Sequence, residues 1–152
     1  MAEQVQSILD QMVPSLRDFL DKGIFSGSEI RVIVNRRRES EYLLRRRAAR
    51  KADFLRYIEA EKTLERLREL RTRQIYRRKR QNNGGQDTEE RLANTSIVQH
   101  IHFLFQRTIR KWKSDVTIYI QHAEFAKQAK SSKMLGKIYA EALQIHPRHT
   151  GL

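Results

Sequence analysis

Apolar residues recur along this chain at intervals of three and four. Val5, Ile8, Leu9, Met12, Val13, Leu16, Phe19 and Leu20 follow the spacing of a helix with one buried stripe. Pro14 falls inside that stripe and predicts a kink or a division, because proline removes a backbone hydrogen bond. Gly23 then reads as the terminating residue. Ser26-Gly27-Ser28-Glu29 has the serine and glutamate of a capping box, so a long helix should start there and bury Ile30, Ile33, Val34, Tyr42, Leu43 and Leu44.

Asp53 predicts the cap of a further helix, with Phe54, Tyr57, Ile58, Leu64, Leu67 and Leu70 on its apolar face. The pattern continues through Ile75 and Tyr76 into Arg77-Arg78-Lys79-Arg80, and the polar stretch around Gly84-Gly85 predicts a flexible loop within 81–95. Asn94-Thr95-Ser96 matches a glycosylation sequon but reads better as a helix start. Three shorter helices follow. The first carries Ile97, Val98, Ile101, Leu104, Phe105, Ile109 and Trp112; the second starts at Asp115 and buries Val116, Tyr119, Ile120 and Ala123. The third starts near Ser131 or Ser132, buries Met134, Leu135, Ile138, Tyr139, Ala142 and Leu143, and is stopped by Pro147.

These elements predict an all-α fold of antiparallel helical hairpins with long N-terminal helices. Lys51, Asp53, Tyr57 and Ile58 recur 62 positions later as Lys113, Asp115, Tyr119 and Ile120. That offset exceeds the roughly 34-residue period of a helical hairpin repeat, as if an insertion sat inside the first unit. The organisation read from this pattern is an N-terminal helical region at 1–52, a first hairpin-like unit at 53–113 and a second at 114–152.

Charge changes the picture. The chain carries 31 basic and 18 acidic residues, and the excess is uneven. Residues 1–30 hold two basic and five acidic groups, whereas residues 31–80 hold nineteen basic and seven acidic groups. A block of that kind points to a polyanionic partner. Arg31, Arg38 and Arg45 are spaced by sevens, as are Arg66, Arg73 and Arg80, and residues seven apart drift only about 20° around a helix. With Arg36, Arg37, Arg46, Arg47, Arg77, Arg78 and Lys79 they form basic stripes suited to phosphate or to an acidic partner. No aromatic residues interleave the arginine runs, which argues against base reading. Tyr76-Arg77-Arg78-Lys79-Arg80 also fits a nuclear localisation signal.

Catalytic chemistry finds little support. There are no cysteines, which excludes disulfides and thiolate metal sites. His100 and His102 lie two apart on a predicted helix and point to different faces; all five histidines read as solvated. Glu59 and Glu61 sit among arginines, where charge compensation is expected. No phosphate-binding glycine loop or serine nucleophile motif is present, and no cofactor is expected. Phe105, Trp112, Tyr119, Phe125 and Tyr139 form an aromatic stripe that reads as inter-helix packing.

Asp115-Val116-Thr117-Ile118-Tyr119-Ile120, followed by Lys137-Ile138-Tyr139-Ala140-Glu141-Ala142-Leu143 and Pro147, resembles a half-a-TPR (HAT) repeat. Phe105-Gln106-Arg107-Thr108-Ile109 is similar to a looser copy of the second helix of that repeat. Met12-Val13-Pro14, Gly23-Ile24-Phe25-Ser26, Glu29-Ile30, Asp53-Phe54-Leu55-Arg56-Tyr57-Ile58-Glu59 and Arg110-Lys111-Trp112-Lys113-Ser114-Asp115 extend the likeness over nearly the whole chain. Together they resemble the N-terminal part of the family of U3 small nucleolar RNA-associated protein six. The resemblance implies a non-catalytic scaffold of the small-subunit processome, in its UTP-B subcomplex with WD40-propeller partners, acting in 18S pre-ribosomal RNA maturation in the nucleolus. In such a repeat Phe54, Tyr57, Ile58, Phe105, Trp112, Tyr119, Ile138, Tyr139, Leu143 and Pro147 would pack the helices. Two departures stand out. Tyr119 occupies a position where tryptophan is common, and members continue through further repeats beyond the equivalent of Gly151-Leu152, so the 115–147 hairpin should expose an apolar edge. The alternative is a basic helical protein that binds the RNA phosphate backbone directly, on U3 or pre-ribosomal RNA.

Overall fold

The computed structural model describes residues 2–83 and 93–148, and every regular element among them is helical. The six helices are α1 (Ala2–Asp21), α2 (Gly27–Leu44), α3 (Lys51–Asn83), α4 (Ser96–Lys111), α5 (Val116–Gln128) and α6 (Ser132–Ile145). The expected loop around Gly84-Gly85 and the chain end at Gly151-Leu152 lie outside the described residues. Two compact units divide the chain by packing, residues 1–97 and 98–152, with the division inside α4.

In the first unit, α1 runs through Pro14 without being divided. Proline there removes only its own N–H and deprives the Asp10 carbonyl, on an exposed stretch of the helix, of its partner. The helix ends at Gly23, whose φ of 74° is left-handed. The Gly23 N–H donates to the Leu20 carbonyl (3.1 Å) and the Ile24 N–H to Phe19 (3.0 Å), the two bonds of a Schellman cap. Phe19 and Ile24 are both buried beneath it, and Phe25 meets Phe19 edge to face at 5.3 Å. Ser26 opens α2 with the predicted capping box: its hydroxyl accepts from the Glu29 N–H (3.2 Å), and the Glu29 carboxylate accepts from the Ser26 N–H (3.0 Å).

α3 begins before the predicted cap. Asp53 lies in its first turn and accepts from the Arg50 N–H (2.9 Å), so the carboxylate satisfies the helix start from inside. At its other end α3 continues to Asn83, into the region expected to be loop. Thirty-three residues make a helix of about 50 Å. Phe54, Tyr57 and Ile58 are buried on it as expected, with Val5, Leu9, Leu16 and Ile33 also in the core. Val13, Leu20, Tyr42 and Leu70, by contrast, are exposed, because the buried stripe of each helix is narrower than its apolar pattern.

The second unit contains the expected hairpin. Asp115 caps α5 through the Thr117 N–H (3.0 Å). α5 ends in a second Schellman cap, with Lys130 in the left-handed position (φ 55°) and the Ser131 N–H donating to Ala126 (2.8 Å). Ala123, Ala126 and Ile138 form a small core with Met134, Leu135 and Tyr139 packed against it. Phe105 and Tyr119 are buried and Trp112 is half-buried, whereas Leu143 is 44% exposed on the face of α6 turned away from Ala142. Leu143 therefore does not serve as packing within the unit, and Pro147 sits in an exposed turn after α6.

Candidate nucleic-acid and partner surfaces

The basic block divides by depth. Consecutive helical residues are about 100° apart, so only one of Arg36, Arg37 and Arg38 can face inward, and it is Arg37. The residue is 4% exposed, and its guanidinium donates to both oxygens of Glu61 on α3 (2.8 and 3.0 Å), while one nitrogen lies 3.4 Å from the Met12 sulfur on α1. Burial works against the Arg37 charge, but the Glu61 carboxylate more than offsets it and moves the arginine pKa up. Arg37 is thus a buried cross-link among three helices, not a surface contact. The wider pattern was readable: Ile33, Arg37, Glu41 and Leu44 share one inward face at helical spacing.

Among the other predicted positions, Arg31, Arg36, Arg46 and Arg47 are exposed on or just after α2. Arg38 is half-buried and donates to Asn35 (3.1 Å), and Arg45 is half-buried and donates to Gln4. The Arg31–Arg38–Arg45 stripe is therefore interrupted by local bonds. On α3, Arg66, Arg73, Arg77, Arg78, Lys79 and Arg80 are all exposed.

A residue that composition did not single out ties α3 to the start of α2. Arg71 donates to the Ile24 carbonyl (3.1 Å) and to the Glu29 carboxylate (2.8 Å), and its guanidinium lies 5.5 Å from the Phe25 ring centre. The Ser26 backbone N–H and then Arg71 hold the Glu29 carboxyl below its ordinary value. Since Arg37 meets Glu61 and Glu29 meets Arg71, α2 and α3 run antiparallel, and α3 passes the start of α2 at Arg71. Residues 72–83 extend beyond it with five basic side chains and no acid.

The histidine expectation is corrected in the second unit. His102 and His122 are buried, with Nδ1 of His102 2.8 Å from Nε2 of His122. Phe105 stacks on His122 at 4.6 Å, and Phe125 meets His102 edge to face. Burial pushes the His102 pKa below its ordinary value. The other His102 nitrogen meets the Ser131 hydroxyl at 3.2 Å, which explains why Ser131, at the N-cap position of α6, makes no side-chain cap bond. Sequence spacing carried no hint of this pair, because its members lie twenty residues apart on different helices.

An open groove of about 310 Å³ lies across α4, α5 and α6. Its apolar walls include Ile109 and Ile138; Arg110, Lys113, Lys137 and Glu141 supply charge, and Tyr119 lies against it. Among the described residues no group of three or more histidine, aspartate or glutamate side chains could hold a metal ion. No described helix is long and apolar enough to cross a membrane.

These features define an all-helical protein of packed antiparallel helices with a strongly basic outer surface. Residues 9–100 match the family of U3 small nucleolar RNA-associated protein 6. The U3 small nucleolar RNA-associated protein 6 of Schizosaccharomyces pombe is 39% identical over 152 residues, which is 100% of this chain and 29% of that protein. The human U3 small nucleolar RNA-associated protein 6 homolog is 31% identical over the same length, covering 24% of the human chain. The Dictyostelium discoideum homolog is 26% identical over 150 residues, covering 99% of this chain and 23% of that one. The chain belongs to the U3 small nucleolar RNA-associated protein 6 family and spans less than a third of the length of these relatives.

Proposed function

We propose that this chain is a non-catalytic scaffold segment in ribosome small-subunit biogenesis, working in the nucleolus on U3-associated particles. Its family relatives carry the U3 small nucleolar RNA in their names, which supports an RNA–protein assembly as its setting. The UTP-B subcomplex and its WD40-propeller subunits are the protein partners this reading names, and U3 or pre-ribosomal RNA the nucleic acid. Direct contact with RNA phosphate falls to the far end of α3. The observation that carries it is the stretch past Arg71, where Arg73, Arg77, Arg78, Lys79 and Arg80 stand exposed without an acid among them. The arginines of α2 carry less, since Arg37 is buried and Arg38 and Arg45 are engaged locally.

Two measurements test this. Changing Arg77, Arg78, Lys79 and Arg80 to glutamine should reduce the slope of log K against log salt for RNA by about 3 to 4, near one for each phosphate no longer neutralised. An unchanged slope would remove α3 from the RNA contact. Pull-down from nuclear extract with and without nuclease then separates scaffold from RNA binder. Partners that all vanish after nuclease treatment would sink the scaffold reading.

A further inference from the structure

The second unit holds a buried polar atom that its own packing does not use. Tyr119 is 1% exposed, and its hydroxyl finds no hydrogen-bond partner among the described residues. Leaving such a group unpaired is costly unless something else meets it. Tyr119 lies against the groove between α4 and α6, and Glu141 on the same groove is close enough to act on it: burial and then the Glu141 charge hold the phenol above its usual value.

The lining of that groove is unequal in donors and acceptors. Arg110 and Lys113 on one wall and Lys137 on the other can only donate, and the Tyr119 hydroxyl is free to do so. Against them stand one carboxylate, Glu141, and the side-chain amides of Gln106 and Gln144. A peptide strand brings a backbone N–H as well as a C=O with nearly every residue, and its N–H groups would need acceptors beyond the three side chains present. A phosphodiester brings only acceptors and negative charge. From Met134 to Ile145 the α6 wall is about 16 Å long, room for a short stretch of backbone.

We propose that this groove binds the backbone of a single-stranded RNA segment, with Arg110, Lys113, Lys137 and Tyr119 meeting phosphate oxygens and Glu141 accepting from a ribose 2′-hydroxyl. The 2′-hydroxyl is what distinguishes RNA from DNA at such a site. The described lining offers no exposed ring on which a base could stack, so binding is indifferent to sequence. This inference rests on the reading of the chain as an RNA contact but uses a different surface.

The test is fluorescence anisotropy on the whole chain with a labelled uridine RNA of about six nucleotides and its 2′-deoxy counterpart. RNA should bind about tenfold tighter than the deoxy strand, the value of one charge-assisted hydrogen bond. Glu141→Ala should tighten both strands and bring their ratio close to one. Tyr119→Phe should weaken both, with the thermal midpoint kept or raised, since that buried hydroxyl makes no bond in the folded chain. The Lys113→Gln, Lys137→Gln pair should weaken both several-fold. Equal affinity for the two strands, or indifference to the lysine pair, overturns the proposal. So does displacement of RNA by a glutamate-rich peptide at lower concentration than by unlabelled RNA, which would assign the groove to a protein partner. Repeating the series with Arg77, Arg78, Lys79 and Arg80 as glutamine separates the two surfaces. An absent strand preference beside a normal α3 salt slope refutes the groove alone; a flat α3 slope with the preference intact refutes only the α3 contact.

Discussion

Each compact unit hides a polar pair in its interior, and the two pairs are chemical opposites. Arg37 and Glu61 are full charges joined by two short bonds, 5% exposed on both side chains. His102 and His122 are aromatic rings that share a contact of 2.8 Å, enclosed by Phe105 and Phe125. In the first pair the Glu61 carboxylate more than offsets the burial of the Arg37 guanidinium and keeps it charged. In the second, burial disfavours a proton on His102, and a proton on each ring would place two cations against one another. The same problem, a polar group inside a helical core, is thus solved once by compensation and once by keeping charge out.

Removing one member of the charged pair should have the largest effect. Glu61→Ala leaves Arg37 buried and uncompensated and should cost about 3–5 kcal/mol in urea unfolding followed by circular dichroism. The double change Arg37→Met, Glu61→Leu should recover most of that loss. A double variant no more stable than the single one would mean that the pair specifies the packing itself.

Acid should break the other unit first. A histidine whose folded pKa lies below its unfolded value binds fewer protons when folded. Its contribution is complete above about pH 6.5 and is lost as pH falls from there through the lowered folded value. Trp112 is the only tryptophan and lies in the second unit, so its fluorescence reports that unit alone. The expected outcome is a loss of stability by this probe as pH falls below about 6.5, flattened in His102→Phe. That variant should itself cost about 1–3 kcal/mol at neutral pH, because the bonds to His122 and Ser131 disappear. A pH response identical to that of the first unit would erase the contrast.

The two Schellman caps sharpen the comparison at lower energy. Gly23 suits its left-handed position, whereas Lys130 occupies the same one with a side chain. Lys130→Gly should gain about 0.5–1 kcal/mol and Gly23→Ala should lose about 1 kcal/mol, with no clash, since nothing lies within 4 Å of the added carbon. Both shifts are measurable as changes in the urea midpoint. Smallest of all is Arg73, whose contact with Glu69 at 3.9 Å is mostly in water. Arg73→Gln should leave the unfolding midpoint where it is, so any effect on RNA binding would be a binding effect.

Much of this architecture is legible in the chain. Ser26 with Glu29, Gly23 and Asp115 each announce a helix end by local chemistry, and local chemistry is what sequence records best. Periodicity marks an apolar face but not how far a neighbour covers it, which is why Val13, Leu20, Leu70 and Leu143 fit an inward pattern and yet lie exposed. Pro14 misleads for a related reason: its cost depends on whether the orphaned carbonyl reaches water. The basic stripes are visible as charge, yet the depth of Arg37 is set by Glu61, twenty-four residues away. The groove is invisible in the sequence, because Arg110, Lys113 and Lys137 are ordinary surface residues until three helices bring them to one place.

The stretch of α3 beyond Arg71 has a thermodynamic consequence of its own. Residues 77–82 are exposed throughout and depend on helix propensity, and the cations there crowd one another at three- and four-residue spacing, as Arg73 with Arg77 and Arg77 with Arg80. Each such repulsion costs about 0.2–0.5 kcal/mol. This end should therefore fray inward from Asn83 and stop at the Arg71 tether, exchanging its amide protons faster than the rest of the helix. A polyanion that neutralises the cluster would slow that exchange, so part of its binding energy goes into winding the last turns. The tip of α3 then acts as a gauge of ionic surroundings: straightened by phosphate or by salt, loosened in dilute buffer.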